Sequence, residues 1–259
     1  MDGENMGYRI GLDLGSTAIK MALVRDGDLV WSRQTPTAPG QEGLARGLVS
    51  AALDELGLAE EDIAGVAATG YGKRLVGTAG RLVDEISANA RGLFALSRGR
   101  CRTIINIGGQ DLKVIRLTED GLVDEFRMND KCAAGTGRFF EQAARILDTP
   151  LESFARLSLA ADQALELNST CVVFAESEMV SLLANGVRRE NIIRGLHHSV
   201  AKRVGHLLGH GLVSGEIYLD GGPAQNQGLL SALEDELMLE VKKLPQPQFT
   251  VAFGAAIQP

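Results

Sequence analysis

The feature that most constrains the fold is a pattern of strand, glycine turn and strand that occurs twice. The first copy reads YRIGLDLGSTAIKMALV at residues 8–24, and the second reads RTIINIGGQDLKVIRL at residues 102–117. An offset of 93 residues aligns the copies and pairs Asp13 with Asn106, Gly15 with Gly108, and Lys20 with Lys113. A repeat of that length has the size of a domain, so the sequence predicts an internal duplication rather than a solenoid.

Further strands and a helix are predicted around the first copy. Apolar runs separated by turn residues predict a meander of three strands over 8–14, 18–24 and 29–35. Leucine and alanine at helical spacing predict a helix over 42–57. A short apolar run over 63–70 predicts a buried strand.

Two later segments complete the predicted architecture. A third glycine turn, in EIYLDGGPAQN at 216–226, follows a strand and precedes a helix, while FTVAFGAAI predicts a short strand that runs into a helix start. We therefore expect an α/β protein with two sheets of related topology, a cleft between them and helices packed outside. The expected domains are 1–100, completed by 250–259, and 101–249.

Charge and hydropathy exclude several classes of function. The 259-residue chain carries a formal net charge of −7, which argues against binding to nucleic acid or to an anionic membrane because phosphate groups would repel it. No apolar run is long enough to span a bilayer, and the start MDGENMGYRIG lacks the basic and apolar regions of a signal peptide. The sequence therefore predicts a cytoplasmic protein with no membrane or nucleic-acid partner.

The three glycine turns favour a nucleotide site. A phosphate group needs several backbone N–H groups aimed at one point, and glycine permits that approach because it has no Cβ. Glycines that only tighten hairpins are the simpler interpretation for any single turn. Three such turns, two of them duplicated with Asp or Asn at the strand end, favour nucleotide binding. Neither a P-loop nor a Rossmann glycine motif is present in the sequence.

Asp13 and Lys20 are candidate site residues on either side of the first turn. Asp13 can hold Mg²⁺ through a water molecule, since magnesium keeps much of its hydration shell. The alternative is that its side chain only caps the turn. Lys20 either approaches a phosphate or faces solvent, and the sequence does not choose between these alternatives.

Two cysteines, Cys132 in NDKCAAGTGRFF and Cys171 in STCVVFAESE, precede predicted amphipathic helices. A helix N-terminus favours a thiolate, and any anionic cluster bonded to it, because it carries a partial positive charge. Two thiolates are too few for a four-ligand site, but a symmetric dimer would supply four, which suits a 4Fe–4S cluster or zinc. Buried, inert cysteines are the alternative. The expected N-cap residues are Asn129 or Asp130 for the first helix and Ser169 or Thr170 for the second.

The third cysteine and the histidines are weaker candidates. Cys101 lies before a predicted strand and has no assigned role, and three widely spaced cysteines do not make a disulfide framework. His206 and His210 are one helical turn apart and can clamp a metal ion. A helix face with polar positions explains the same spacing more simply.

Several motifs together resemble a known family. They are IGLDLGSTAIK, ATGYG, NIGGQDLKVI, MNDKCAAGTGRFF, STCVVFAESE and DGGPAQN, in this order over nearly the whole chain. They resemble the ATPase activators of 2-hydroxyacyl-CoA dehydratases and, equally, the ATPase subunits of benzoyl-CoA reductases. The cysteine motifs are highly specific, whereas the glycine turns are shared by the superfamily of sugar kinases, heat-shock chaperones and actin. The resemblance implies duplicated ribonuclease H-like domains of the actin and sugar-kinase type, with a nucleotide cleft between them.

The resemblance also implies an activity and its cofactors. Members form a homodimer that holds one 4Fe–4S cluster between subunits, with Cys132 and Cys171 of each copy as the ligands implied here. They bind ATP or ADP with Mg²⁺, accept an electron from ferredoxin or flavodoxin, and pass it at low potential to a partner iron–sulfur enzyme. That partner is a 2-hydroxyacyl-CoA dehydratase, a benzoyl-CoA reductase or a double-cubane reductase. The expected protein is therefore an oxygen-sensitive ATPase of anaerobic metabolism.

Site residues are carried over from these motifs position by position. The catalytic candidates are Asp13, Asn106, Gln110 and Asp111. The nucleotide-binding candidates are Gly15, Ser16, Thr17, Ala18, Ile19, Lys20, Gly108, Gly109, Gln110, Gly221, Gly222, Gln225 and Gly254. The cluster ligands are Cys132 and Cys171.

One position departs from the family pattern. The second phosphate strand usually ends in Asp, as in DIGGQD, whereas this chain has Asn106. An amide can still orient a water or bind a phosphate, but it removes one negative charge beside the metal. Asp111 is a candidate to take over part of that role. A small-molecule kinase and a clusterless nucleotide-binding module are the alternative functions.

Overall fold

A computed structural model of the chain divides into two compact units. The first comprises the described residues of Met1–Cys101, Leu117–Val123 and Gln248–Pro259, and the second those of Arg102–Arg116 and Asp124–Pro247. The structure describes residues 7–77, 79–130, 132–163, 165–167, 171–209 and 211–258. Each unit contains a five-stranded sheet.

The sheet of the first unit has the strand order β3-β2-β1-β4-β5. Its strands are β1 (Tyr8–Leu14), β2 (Ala18–Arg25), β3 (Asp28–Pro36), β4 (Ile63–Thr69) and β5 (Arg81–Leu82). β1 pairs antiparallel with β2 and parallel with β4, so the C-terminal ends of β1 and β4 lie side by side. The helices of this unit are α1 (Gln41–Leu56), α2 (Glu85–Leu96) and α8 (Thr250–Ile257).

The sheet of the second unit has the corresponding order β10-β9-β6-β7-β8. Its strands are β6 (Cys101–Ile107), β7 (Leu112–Leu117), β8 (Val123–Asn129), β9 (Glu216–Asp220) and β10 (Val241–Lys243). Its helices are α3 (Gly137–Ile146), α4 (Phe154–Leu159), α5 (Val172–Ala184), α6 (Arg189–Leu208) and α7 (Gln227–Leu237). β6 lies between its antiparallel partner β7 and β9, as β1 lies between β2 and β4. The predicted α/β class and the duplicated pattern are confirmed.

Local sequence explains the central elements of the first unit. The last five residues of β1 are all buried, which is typical of a strand covered on both faces of a sheet. Helix α1 buries Ala45, Leu48 and Ala52, whose spacing of three and four residues forms one face. Gly40 and Gly57, both with positive φ, bound this helix. Among the described residues, no helix combines the length and apolar character needed to cross a bilayer.

The strand predicted near the end of the chain is wrong, because Thr250–Ile257 forms helix α8. Residues 250–256 are all buried, so the segment shows no alternation of apolar and polar positions. Periodicity alone cannot distinguish a short strand from a helix that is buried on all sides. The helix packs on β1, where a Cβ at Gly11 would lie 1.9 Å from the carbonyl oxygen of Ala252.

Replacing Gly254 by alanine should destabilise the first unit. This glycine lies where α8 meets α2, and a Cβ there would lie 1.8 Å from the carbonyl oxygen of Ala88. We expect the free energy of unfolding to fall by roughly 3 kcal/mol in a denaturant titration. The matched control is Gly47→Ala in α1, where a Cβ meets nothing within 4 Å. Alanine should there raise stability by up to about 1 kcal/mol. Equal stability of the two variants would contradict this close packing.

Candidate functional site

The first glycine turn joins β1 to β2 and is held by backbone contacts. The amide of Gly15 donates to the carbonyl of Ala18 over 3.1 Å, and the hydroxyl of Thr37 donates to the carbonyl of Gly15 over 2.8 Å. Lys20 Nζ donates to the carboxylate of Asp13 over 2.9 Å, directly across the two strands. The structure therefore pairs Lys20 with Asp13 rather than leaving it in solvent.

Two residues that sequence reasoning missed, Thr69 and Gly70, lie beside Asp13. Thr69 ends β4 in register with Asp13, and its buried hydroxyl makes no hydrogen bond within the described residues. Gly70 has a φ of 83°, and a Cβ there would lie 2.7 Å from Oδ1 of Asp13. A buried hydroxyl without a protein partner and a glycine against a carboxylate fit a bound polar group, such as a hydrated metal ion or a phosphate. The ATGYG motif is the sequence signal for this pair.

The second glycine turn joins β6 to β7. The amide of Gly108 donates to the carbonyl of Asp111 over 2.9 Å, and a Cβ on Gly108 would lie 2.2 Å from Oδ1 of Asp111. Lys113 Nζ donates to the same Oδ1 over 2.7 Å, and this ion pair is buried. Gln110 lies exposed in the turn. In the second copy, the acid that pairs with Lys113 therefore lies inside the turn. In the first copy, the acid that pairs with Lys20 lies near the end of the strand.

The third glycine turn adjoins the second at one edge of the sheet. Gly221 has a φ of 91°, and a Cβ there would lie 2.2 Å from the carbonyl oxygen of Ile107 at the end of β6. Only glycine tolerates this combination of backbone conformation and close approach. The exposed side chain of Gln225 donates to the carbonyl of Gly222 over 3.4 Å.

A buried pair, Asn106 and Asp220, lies where β6 and β9 end. Nδ2 of Asn106 donates to Oδ2 of Asp220 over 2.9 Å. Sequence reasoning singled out Asn106 but missed Asp220. The signal available was an acid at a predicted strand end, directly before the glycine pair of LDGG.

Helix α3 is hydrogen-bonded to the second turn. The amide of Gly137 donates to the carbonyl of Gly108 over 2.8 Å, and the amide of Arg138 donates to the carbonyl of Gly109 over 2.9 Å. These amides begin the helix and have no helical carbonyl to bind, so the turn satisfies them. The segment that carries Cys132 leads directly into this junction.

The two predicted ligand cysteines, Cys132 and Cys171, are partly exposed thiols of the second unit. Cys171 occupies the N-cap position of α5, and its side chain makes no capping hydrogen bond. Next to it, Val173 and Phe174 are large apolar side chains that are 67% and 70% exposed. Within the part of one chain that the structure describes, no group of three or more His, Cys, Asp or Glu side chains is placed to hold a metal ion.

The predicted N-cap of the first of these helices is wrong. Thr136 holds the N-cap position of α3, whereas Asn129 ends β8 and Asp130 follows it. Cys132 therefore lies ahead of the helix, beyond the first turn over which a helix dipole acts. The dipole argument therefore does not extend to Cys132, and for Cys171, at the N-cap of α5, it stays a prediction. The caps predicted for the second helix, Ser169 and Thr170, lie outside the described residues.

The other candidates occupy varied positions. The side chain of Ile19 belongs to the hydrophobic core, and Gly254 is buried within α8, so their nucleotide contacts stay predictions. Cys101 is fully buried as the first residue of β6. His206 is exposed in the last turn of α6, while His210 lies outside the described residues. The bend of the first turn contains Ser16 and Thr17, and Ala18 is the first residue of β2.

A buried histidine supports the segment that follows the third turn. Oδ1 of Asn226 accepts from two amides at the start of α7, so its Nδ2 donates to Nε2 of His197 over 2.9 Å. Nδ1 of His197 must then carry the proton, and it donates to the hydroxyl of Ser158 over 2.8 Å. Burial, and secondarily the charge of His198, lowers the pKa of His197 to about 3. The neutral imidazole thus connects α4 and α6 to the cap of α7.

Replacing His197 by glutamine should flatten the dependence of stability on pH. Above pH 6.5 the imidazole is neutral in both the folded and the unfolded chain, so it adds no dependence of stability on pH. Between pH 6.5 and about 3, the unfolded chain binds a proton that the folded protein does not. Stability should then fall by up to about 1.4 kcal/mol for each unit by which the pH drops. Denaturant titrations from pH 7 to 4 measure this slope.

The control for this experiment is Ser158→Ala, which removes a hydrogen-bond partner of His197 and keeps the imidazole. It should lose stability at every pH and retain the wild-type slope. A His197→Gln variant with the wild-type slope would show that this histidine does not cause the acid sensitivity.

Comparison with known proteins identifies related sequences over nearly the whole chain. The sequence model described as the BadF/BadG/BcrA/BcrD ATPase family matches residues 10–258. The activator of lactoyl-CoA dehydratase from Anaerotignum propionicum is 44% identical over 251 residues, which cover 96% of this chain and 96% of that protein. A benzoyl-CoA reductase subunit from Thauera aromatica is 31% identical over 258 residues, which cover 95% of this chain and 91% of that protein.

Solved structures agree with these relatives. Component A of (R)-2-hydroxyglutaryl-CoA dehydratase from Acidaminococcus fermentans superposes with a TM-score of 0.91 at 40% identity, covering 96% of each chain. A ROK hexokinase from Thermus thermophilus superposes with a TM-score of 0.50 at 19% identity, covering 96% of this chain and 97% of that one. The second likeness concerns the fold alone. The predicted actin and sugar-kinase type of fold is confirmed.

Proposed function

The chain belongs to the BadF/BadG/BcrA/BcrD ATPase family, and from this we propose that it is an ATP-driven activator that delivers low-potential electrons to a partner iron–sulfur enzyme. The electrons come from ferredoxin or flavodoxin and pass through a 4Fe–4S cluster held between two copies of the chain. Relatives named as activators of lactoyl-CoA and 2-hydroxyisocaproyl-CoA dehydratases support the activator role. The partner is a 2-hydroxyacyl-CoA dehydratase, a benzoyl-CoA reductase or a double-cubane reductase.

The surroundings of Asp13 support a site for Mg²⁺ and a nucleotide phosphate. The unpartnered hydroxyl of Thr69 and the glycine at position 70 leave room and hydrogen-bonding capacity beside this carboxylate. Asp13 would accept a hydrogen bond from a water molecule on Mg²⁺, which retains most of its hydration shell when bound by proteins. Lys20, 2.9 Å from Asp13, places a positive charge where a phosphate group needs one.

The thiol groups fit a cluster that two copies share. One chain offers two partly exposed thiols, Cys132 and Cys171, and a 4Fe–4S cluster takes four thiolates. A second copy related by a twofold axis would supply the other two. The exposed Val173 and Phe174 beside Cys171 are apolar surface that such a copy would cover. The cluster supplies one-electron chemistry when bound, and the cysteines hold it at the subunit boundary.

The observation that carries the proposed coupling is the pair of hydrogen bonds between the second turn and α3. The carbonyls of Gly108 and Gly109 accept from the first amides of α3, and the residues just before that helix carry Cys132. A nucleotide that moves the turn must therefore move the start of α3 or break both bonds. ATP drives such a change only to the extent that it binds one conformation more tightly than the other.

Anaerobic purification followed by iron, sulfide and mass analysis tests the proposal. We expect a dimer with about four irons and four sulfides per two chains. We also expect phosphate release from ATP and loss of the iron in air. Transfer of an electron from reduced ferredoxin or flavodoxin to a partner enzyme should require ATP.

Two results would contradict the proposed electron transfer. One is a chain that stays monomeric and free of iron after anaerobic reconstitution with ferrous iron and sulfide. The other is electron delivery at the same rate with and without ATP. Transfer of the γ-phosphate to a small molecule would favour a kinase instead.

A further inference from the structure

The two copies of the duplicated motif place their acidic groups differently. Asp13 and Lys20 face each other across β1 and β2 and form an ion pair of 2.9 Å. In the second copy, Asn106 faces Lys113, and the lysine pairs instead with Asp111 over 2.7 Å. Asn106, which is equivalent to Asp13, is thus uncharged. Lys113, which is equivalent to Lys20, pairs with an acid inside the turn.

A carboxylate is nevertheless in contact with this position, on the neighbouring strand. Asp220 ends β9, which lies beside β6, and its Oδ2 accepts from Nδ2 of Asn106 over 2.9 Å. The close approach of Gly221 to the carbonyl of Ile107 holds the two strand ends together. Asp220 has no exposed surface, whereas Asn106 is 5% exposed. Asp220 is therefore placed to act through Asn106 rather than to touch a ligand itself.

This hydrogen bond determines how the Asn106 amide is oriented. A carboxylate only accepts hydrogen bonds, so the NH₂ group of Asn106 must face Asp220. The amide oxygen then lies on the opposite side and remains an acceptor. An amide presented in this way can accept a hydrogen bond from a water molecule on a metal ion, as a carboxylate does. The acidic group that position 106 lacks is thus present one strand away, at the end of β9.

We propose that Asp220 is a positioning residue that holds Asn106 as an acceptor for Mg²⁺-bound water, so that the pair replaces a strand-end aspartate. The inference rests on the proposed nucleotide site, and it adds a residue to that site. Without the carboxylate of Asp220, the Asn106 amide can turn over and present its NH₂ group, which repels the outward-pointing hydrogens of water on a cation.

Calorimetric binding of adenylyl imidodiphosphate, a non-hydrolysable ATP analogue, with Mg²⁺ or with EDTA tests the proposal. Asp220→Asn should reduce the Mg²⁺-dependent gain in affinity by about tenfold, the effect of one hydrogen bond. Its affinity in EDTA should stay within about twofold of wild type. The double variant Asn106→Asp with Asp220→Asn keeps one carboxylate against one amide. Its Mg²⁺-dependent gain in affinity should return to within about threefold of wild type. Asp235→Asn, at an exposed acid of α7, controls for net charge and should keep the full gain.

The outcomes separate this inference from the proposed function. A full Mg²⁺-dependent gain in Asp220→Asn, or a double variant that binds no better than Asp220→Asn, would overturn the inference. A wild-type chain that binds the analogue but holds no iron would contradict the proposed electron transfer. The affinities of the variants would still decide the inference about Asp220. A wild-type chain that binds no nucleotide would overturn both.

Stability provides a second measurement if Asp220→Asn does not fold. Asn106→Asp alone places two carboxylates at hydrogen-bond distance, and their repulsion should lower the unfolding midpoint. Adding Asp220→Asn to that variant should raise the midpoint again, because one acid and one amide are restored. A double variant no more stable than Asn106→Asp would overturn the pairing itself.

Discussion

Replacing Cys132 by serine should remove the iron from the anaerobically purified protein and convert the dimer to a monomer. Each chain contributes two thiols to the proposed cluster, so the loss of Cys132 from both copies leaves two of four ligands. A serine hydroxyl is a far weaker ligand for iron than a thiolate, which is the form of cysteine that binds metals. The iron content should fall from about four per two chains to near zero. Iron analysis and mass measured in solution check both effects.

Cys101→Ala is the control for the cysteine experiment, because Cys101 is fully buried at the start of β6. That variant should keep its iron and its dimer. Nucleotide binding should survive in the Cys132→Ser monomer, since the glycine turns are unchanged. A Cys132→Ser dimer with its full complement of iron would show that this residue is not a ligand.

Replacing Asp13 by asparagine should slow phosphate release from ATP by about a hundredfold. Because the equivalent position in the second copy is already Asn106, this variant would have amides at both strand ends. Lys20 would lose the carboxylate that it contacts at 2.9 Å, so the positive charge beside the first turn would increase. In EDTA the nucleotide should therefore bind as tightly as before or more tightly, while hydrolysis with Mg²⁺ slows. Phosphate release and binding of a non-hydrolysable ATP analogue measure the two effects separately.

Asp26→Asn is the control that removes the same formal charge from an exposed turn. Asp26 has a φ of 53°, a conformation that asparagine tolerates. This variant should release phosphate at the wild-type rate. Wild-type hydrolysis by Asp13→Asn would exclude Asp13 as the acid that serves the metal. Loss of nucleotide binding in that variant would indicate a structural role instead.

Secondary structure was predictable wherever local sequence carried the information. The strands flanking the first turn agree with prediction to within a residue, because apolar runs end at glycine or charged turn residues. The last helix was not predictable, since Thr250–Ile257 is buried on almost every side and its sequence has no polar face. The position of Cys132 relative to α3 was also mispredicted, because an irregular segment with a glycine turn separates them.

The candidate site was predictable in its motifs and less so in its contacts. Asp13 and Asn106 could be selected because each lies one residue before the end of a strand that leads into a glycine turn. Thr69 belongs to the ATGYG motif, but the motif does not show that it meets Asp13, since that contact arises from the parallel pairing of β4 with β1. His197 also carries no local signal, because its partner Asn226 belongs to a different helix cap.

The sequence by itself determined the duplicated α/β topology, the family and the pair of candidate cysteines, because each depends on short motifs and local periodicity. Only the tertiary structure decided which acid faces which base or amide. Lys113 pairs with Asp111 rather than with a strand-end acid, and Asn106 meets Asp220. Position 220 is 114 residues from position 106, and β9 is brought beside β6 only by folding of the sheet. Local sequence cannot encode that choice, because it depends on which strand ends share an edge and on which charged groups must be neutralised when they are buried together.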